Sequence, residues 1–76
     1  MNTRLTVVFR EVMNDPTLVI SDELSLGKYE KWDSLAHVKL IMALEEEFDI
    51  RITIGEMTSL ESVADIKKLL SIHGAN

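Results

Sequence analysis

From Ser34 to Phe48 the apolar side chains recur at helical spacing on two sides at once, and this narrows the folds open to the chain. At about 100° per residue, Leu40, Ile41, Leu44 and Phe48 fall on one stripe, with His37 at its N-terminal end. Leu35, Val38 and Met42 fall on a second stripe, roughly opposite. One stripe is enough to anchor a helix in a small bundle. The second must be covered by further protein or left as a docking surface. Lys39, Glu45 and Glu46 flank it, and charged flanks argue against burial all round. Just ahead of the helix, Asp33 is a good N-cap, because its carboxylate can accept the first orphan backbone N–H groups. Ser34 then takes the first helical position, at the surface, where its hydroxyl is reachable by another protein. Free N–H groups and the helix dipole at that point favour an anion attached to the oxygen.

The remaining segments supply the partners of that helix. Residues 3–13 form a first helix, with Leu5, Val8, Phe9, Val12 and Met13 on its core stripe and Arg4, Arg10 and Glu11 towards solvent. Asn2 or Thr3 caps its start, and Asn14-Asp15-Pro16 stops it. Residues 15–33 are a long connection, expected to be pinned across the bundle by Leu18, Val19, Ile20, Leu24 and Leu26, with a short turn at residues 21–24 and another at Gly27. Tyr29 and Trp32 are expected to cover the end of the bundle. Residues 49–54 alternate like a strand but have no partner strand, so they read as an extended connector burying Ile50, Ile52 and Ile54. A short helix over 55–58 and a last helix over 62–71 follow, the latter opened by Ser62 and Asp65 in a capping-box-like pair. Its buried face is Val63, Ile66, Leu69 and Leu70; Gly74 closes it, and Ala75 and Asn76 should fray. The fold class is all-α: a four-helix bundle with three longer helices and one short one, a single domain over residues 1–76.

Composition removes several functions. There is no cysteine, which excludes disulfides and thiolate metal sites and suits a reducing cytosol, so a cytoplasmic protein is expected. A net charge of −5 counts against nucleic-acid binding and favours partners with basic patches. No basic region followed by a long apolar run suggests a secretory signal, and no stretch is suited to spanning a membrane. The His, Asp and Glu spacings make no convincing metal site, and His73 has no nearby ligands in the tail. His37 lies one turn after Ser34, but the helical wheel points it towards the core stripe, so a Ser–His catalytic pair is ranked far below the other readings. No catalytic residue is assigned.

Asp33-Ser34-Leu35, then Val38, then Leu40-Ile41-Met42-Ala43-Leu44-Glu45-Glu46-Glu47-Phe48-Asp49 resembles the acyl carrier proteins, the phosphopantetheine-binding carrier family. The resemblance runs from the first helix to the last. It implies a carrier rather than an enzyme, a monomer with Ser34 as the attachment site of a 4′-phosphopantetheine arm joined through a phosphodiester. A separate phosphopantetheinyl transferase would install the arm from coenzyme A with a magnesium ion. Further partners would be acyl-activating and acyl-transfer or synthase enzymes, docking through Leu35, Val38, Met42, Glu45 and Glu46. Glu47 points elsewhere on the wheel and is expected only to face solvent. In the family the short third helix can move to admit cargo, so Met57 either lines that path or fills the core.

The chain departs from the commonest fatty-acid-synthesis pattern at three places. Trp32 stands directly before the Asp-Ser-Leu triplet, where that pattern has a glycine close by, and Ala36 and Lys39 fall where many fatty-acid carriers have acidic side chains. These features favour a specialised, polyketide-like or other secondary pathway over housekeeping fatty acid synthesis. An aminoacyl or peptidyl carrier is the runner-up, disfavoured by Asp33, where peptide-synthesis carriers often have histidine. A small helical interaction domain without a prosthetic group is the rival from a different class.

Overall fold

The computed structural model describes residues 3–75, and its helices are α1 (Thr3–Met13), α2 (Ser34–Phe48), α3 (Ile54–Ser59) and α4 (Val63–Ile72). Each ends for a local reason. Asn14 adopts a left-handed conformation after α1, with Asp15 N–H donating back to Arg10 O at 3.0 Å. Asp49 does the same after α2, with Ile50 N–H on Glu45 O at 3.1 Å. Gly74 follows α4 at φ +69°, and Ala75 N–H reaches Leu70 O at 2.8 Å. All three satisfy carbonyls that a helix C-terminus otherwise leaves bare. Ala75 is therefore tied back against the core rather than frayed. The expectations for Asn2 and Asn76 fall outside the described residues.

The core is one cluster. Leu5, Val8, Phe9 and Met13 of α1 meet Leu40, Ile41, Leu44 and Phe48 of α2, and Val63, Ile66, Leu69 and Leu70 of α4 close the third side. Arg4 crosses from α1 to α2: its guanidinium donates to the Glu47 carboxylate at 2.9 Å and to the Glu47 carbonyl, and lies 4.5 Å from the centroid of the Phe48 ring. Glu47 is thus a bridge between helices, not merely a solvent-facing acid.

The long connection is held by specific bonds. Leu18 is buried, while Ile20, Leu24, Leu26 and Tyr29 pack partly against the core. Val19, expected to help pin the segment, is 78% exposed. Leu26 N–H donates to Glu61 O at 2.8 Å and Val63 N–H to Leu24 O at 2.9 Å, so residues 24–26 pair with the segment leading into α4. Lys67 of α4 adds an ion pair to Asp22 at 2.8 Å. At the other end, Arg10 Nε donates to Leu18 O at 2.8 Å, and the Tyr29 hydroxyl donates to Asp15 Oδ2 at 2.7 Å.

The connector after α2 also departs from expectation. Ile50 and Ile52 turn inwards, but Ile54 is 78% exposed. Thr53 caps α3, its hydroxyl accepting Glu56 N–H at 3.1 Å while the Glu56 carboxylate accepts Thr53 N–H at 3.0 Å. The chain becomes helical at Ile54, so the alternation of an extended strand stops one residue early. His73 is likewise not isolated: its Nε2 lies 3.2 Å from Glu56 Oε2.

Truncating Leu44 to Ala should cost about 2–5 kcal/mol in urea unfolding, whereas Val19→Ala should stay within about 0.5 kcal/mol. The Tyr29–Asp15 bond makes a pH prediction. Partial burial, then the hydrogen bond to Asp15, raises the Tyr29 phenol to about 12. Its stabilisation is present below pH 10, the unbonded value, and is lost as pH rises through about 12. The same bond holds Asp15 below its ordinary value of 3.8, so that side of the interaction is lost as pH falls below the ordinary carboxylate range. Urea unfolding across both windows should show Tyr29→Phe less pH-sensitive than the parent chain; equal sensitivity would remove the bond from the account.

Candidate functional site

The site is built from the residue that the loop buries before α2 begins. Trp32 is fully enclosed, its ring edge-on to Phe9 with centroids 5.2 Å apart and stacked beside His37 at 6.0 Å. An enclosed indole N–H requires an acceptor, and His37 Nδ1 provides it at 3.0 Å. Trp32 therefore seals the bundle end, as its position suggested, and does not present its ring to a ligand. Asp33 follows in extended conformation, its Oδ1 accepting Ala36 N–H at 2.9 Å and its carbonyl accepting His37 N–H at 2.8 Å. This double cap starts α2 at Ser34, which is exposed.

The Asp33 side chain takes the Ala36 N–H, while the N–H groups of Ser34 and Leu35 lie in the first turn, where a helix supplies no acceptor of its own. An outward hydroxyl beside such groups suits a phosphodiester, since the helix dipole and the N–H groups both favour negative charge there. Ser34 is not a catalytic nucleophile activated by His37. The Trp32 N–H can only donate, so Nδ1 accepts; Nε2 then carries the ring proton and faces Met57 O at 3.0 Å. Both imidazole nitrogens are committed away from the serine.

Along α2 the two stripes separate cleanly. His37, Leu40, Ile41, Leu44 and Phe48 are buried, while Leu35, Val38 and Met42 are 65%, 43% and 62% exposed. The flanking charges are used unevenly. Lys39 and Glu46 face solvent, but Glu45 is half-buried and one of its carboxylate oxygens accepts Ile52 N–H at 2.8 Å. Beyond Met42 the stripe runs into an open groove of about 380 Å³ lined by Glu45, Glu46, Asp49, Ile50 and Arg51. Among the described residues no group of His, Asp and Glu is placed to hold a metal ion, and no helix is long and apolar enough to cross a membrane.

The family model for the phosphopantetheine attachment site matches residues 3–70. The chain belongs to the acyl carrier protein family. A probable acyl carrier protein of Caulobacter vibrioides is 39% identical over 49 residues, 64% of this chain and 57% of the relative, so the match spans little more than half of that protein. The acyl carrier protein of Acidothermus cellulolyticus is 35% identical over 63 residues, covering 83% of this chain and 75% of that one. The solution structure of the holo acyl carrier protein from Geobacter metallireducens superposes with a TM-score of 0.82 at 37% identity, covering 93% of this chain and 84% of that one. The all-α carrier fold is therefore established, and 4′-phosphopantetheine is the family's prosthetic group. An exposed hydroxyl at the mouth of α2 is compatible with such a group.

Asp33, Ser34 and the exposed stripe lie at the start of α2 and along it, where the sequence pattern puts them, whereas the Trp32–His37–Met57 chain of hydrogen bonds and the Glu45 bond to the connector have no local sequence signal. The Thr53/Glu56 capping box does have such a signal, a T-x-x-E pattern. Asp33→Ala should cost about 0.5–2 kcal/mol in urea unfolding and fray the first turn of α2, seen as lost amide protection at Ala36. Unchanged protection there would mean that the cap does not set the helix start.

Proposed function

We propose that this protein is an acyl carrier and that Ser34 bears the 4′-phosphopantetheine arm. The observation that carries the proposal is exposed Ser34 as the first residue of α2, held there by the Asp33 cap and the enclosed Trp32. A phosphopantetheinyl transferase would form the phosphodiester at Ser34 Oγ, with coenzyme A as donor. The arm's terminal thiol would hold the acyl cargo as a thioester. The residues of this chain do the rest: Asp33 fixes the helix start, and Leu35, Val38 and Met42 offer an apolar patch to successive enzymes, with Glu46 and the outer side of Glu45 at its rim.

The relatives named as acyl carrier proteins support acyl over aminoacyl cargo. Exposed Lys39 beside the stripe supports partners other than those of housekeeping fatty acid synthesis, and hence a specialised pathway. The role is carriage rather than catalysis. Contacts with partners should be weak and brief, because a single small patch supplies them.

Co-expression with a broad-specificity phosphopantetheinyl transferase, followed by intact-mass measurement, should show the parent chain gaining one phosphopantetheinyl group. Ser34→Ala should keep its helical circular dichroism and gain none. A Ser34→Ala chain that still takes up the arm would sink the assignment, and a parent chain that never gains it would favour an interaction domain without a prosthetic group.

A further inference from the structure

Of the four helices α3 is the least anchored. None of its residues is buried, whereas α1, α2 and α4 each bury a full stripe of side chains. Among the described residues, two side-chain hydrogen bonds join α3 to parts of the chain beyond its own cap, one from α2 and one from the residue after α4, and an imidazole makes each. His73 meets Glu56 at the edge, at 3.2 Å, and His37 meets Met57 O at 3.0 Å from inside. The inner bond is the more consequential. The His37 residue is 7% exposed, so water cannot readily replace what either nitrogen loses. Met57 O also accepts Leu60 N–H at 3.3 Å, so the same carbonyl closes the last turn of α3 and receives the ring.

We propose that His37 is a clasp: it fixes α3 against the start of α2, and α3 opens as a separate unit when the clasp is released. The ring joins three pieces of chain. Its Nδ1 accepts from Trp32, its backbone belongs to α2, and its Nε2–H holds α3. Trp32 lies two residues before Ser34, with the cap residue between them. The clasp does not depend on the proposed role of Ser34.

The test is residue-resolved amide hydrogen exchange on the full chain with Ser34 unmodified. His37→Leu should raise exchange at Met57 and Leu60 by roughly ten-fold or more, the factor expected for one buried hydrogen bond. Amides of Ile41, Leu44 and Leu69 should change far less. His37→Gln, which carries both an acceptor and a donor, should restore most of the α3 protection, and the imidazole nitrogen shifts of the parent chain should place the proton on Nε2. Exchange rising by the same factor in all four helices would reduce His37 to ordinary core packing, and unchanged exchange at Met57 and Leu60 would overturn the clasp. If His37→Leu does not fold, Trp32→Phe decides: it keeps an aromatic ring and removes the donor, so selective loss of α3 protection supports the clasp and no loss overturns it. Ser34→Ala should leave α3 protection at the parent level, which separates this result from any outcome of arm loading.

Discussion

The arrangement depends on Trp32 being wholly inside the protein. The indole carries more apolar surface than any other side chain in the core, and it arrives from a loop rather than from a helix. Its edge contact with Phe9 draws the end of residues 15–33 against α1, and its N–H selects the His37 rotamer on α2. Apolar burial and a single polar demand therefore act together. With Trp32 fixed, Asp33 takes the Ala36 N–H in the first turn of α2 and Ser34 stands exposed at the helix start. The surface position of the serine follows from what lies buried two residues earlier.

A chain of 76 residues cannot leave a quarter of itself as idle loop and still enclose a core. Ordering residues 15–33 is costly in conformational entropy, and the structure offsets that cost at both ends. Leu18 enters the core, Tyr29 and Arg10 tie the loop to the end of α1, and residues 24–26 exchange backbone hydrogen bonds with the start of α4. The loop thus behaves as a fifth packing element, and it joins α4 to a bundle whose most extensive helix pair is α1 with α2.

The helices and the place of Ser34 at the start of α2 were largely legible because their signals are local. A 3.6-residue period marked the buried faces of α1, α2 and α4, and an aspartate before an apolar run marked the start of α2. What escaped was non-local or broke a period. Arg4 finds Glu47 across 43 positions, and Lys67 finds Asp22 across 45, separations that leave no trace in a window of sequence. Ile54 continued an alternating pattern on paper, but a Thr53 cap converts the backbone to helix just before it, and the side chain turns out to solvent. Val19 shows the limit of composition: an apolar residue in a loop is held inwards only when its neighbours' bonds orient it, and those bonds orient Leu18 instead. His37 was rightly placed in the core, but its partners come from a loop and from another helix, and no spacing encodes them.

The structure also redistributes the charge around α2. Three consecutive glutamates suggest a strongly acidic face, yet Glu47 is neutralised by Arg4 and Glu45 spends one oxygen on the Ile52 N–H. Glu46 remains, with Lys39 exposed on the same side of the helix. The charged side chains beside the Leu35, Val38 and Met42 patch are therefore of both signs. Rim charges chiefly set encounter rate and choice of partner, while affinity comes from the desolvated centre. If that patch is the docking surface we propose, a centre of three side chains limits how tightly any one partner is held. A carrier that must leave each enzyme before meeting the next would need a contact of that kind, and Glu45 and Glu47, each bonded within the bundle, have less to offer a partner than a run of three free glutamates would.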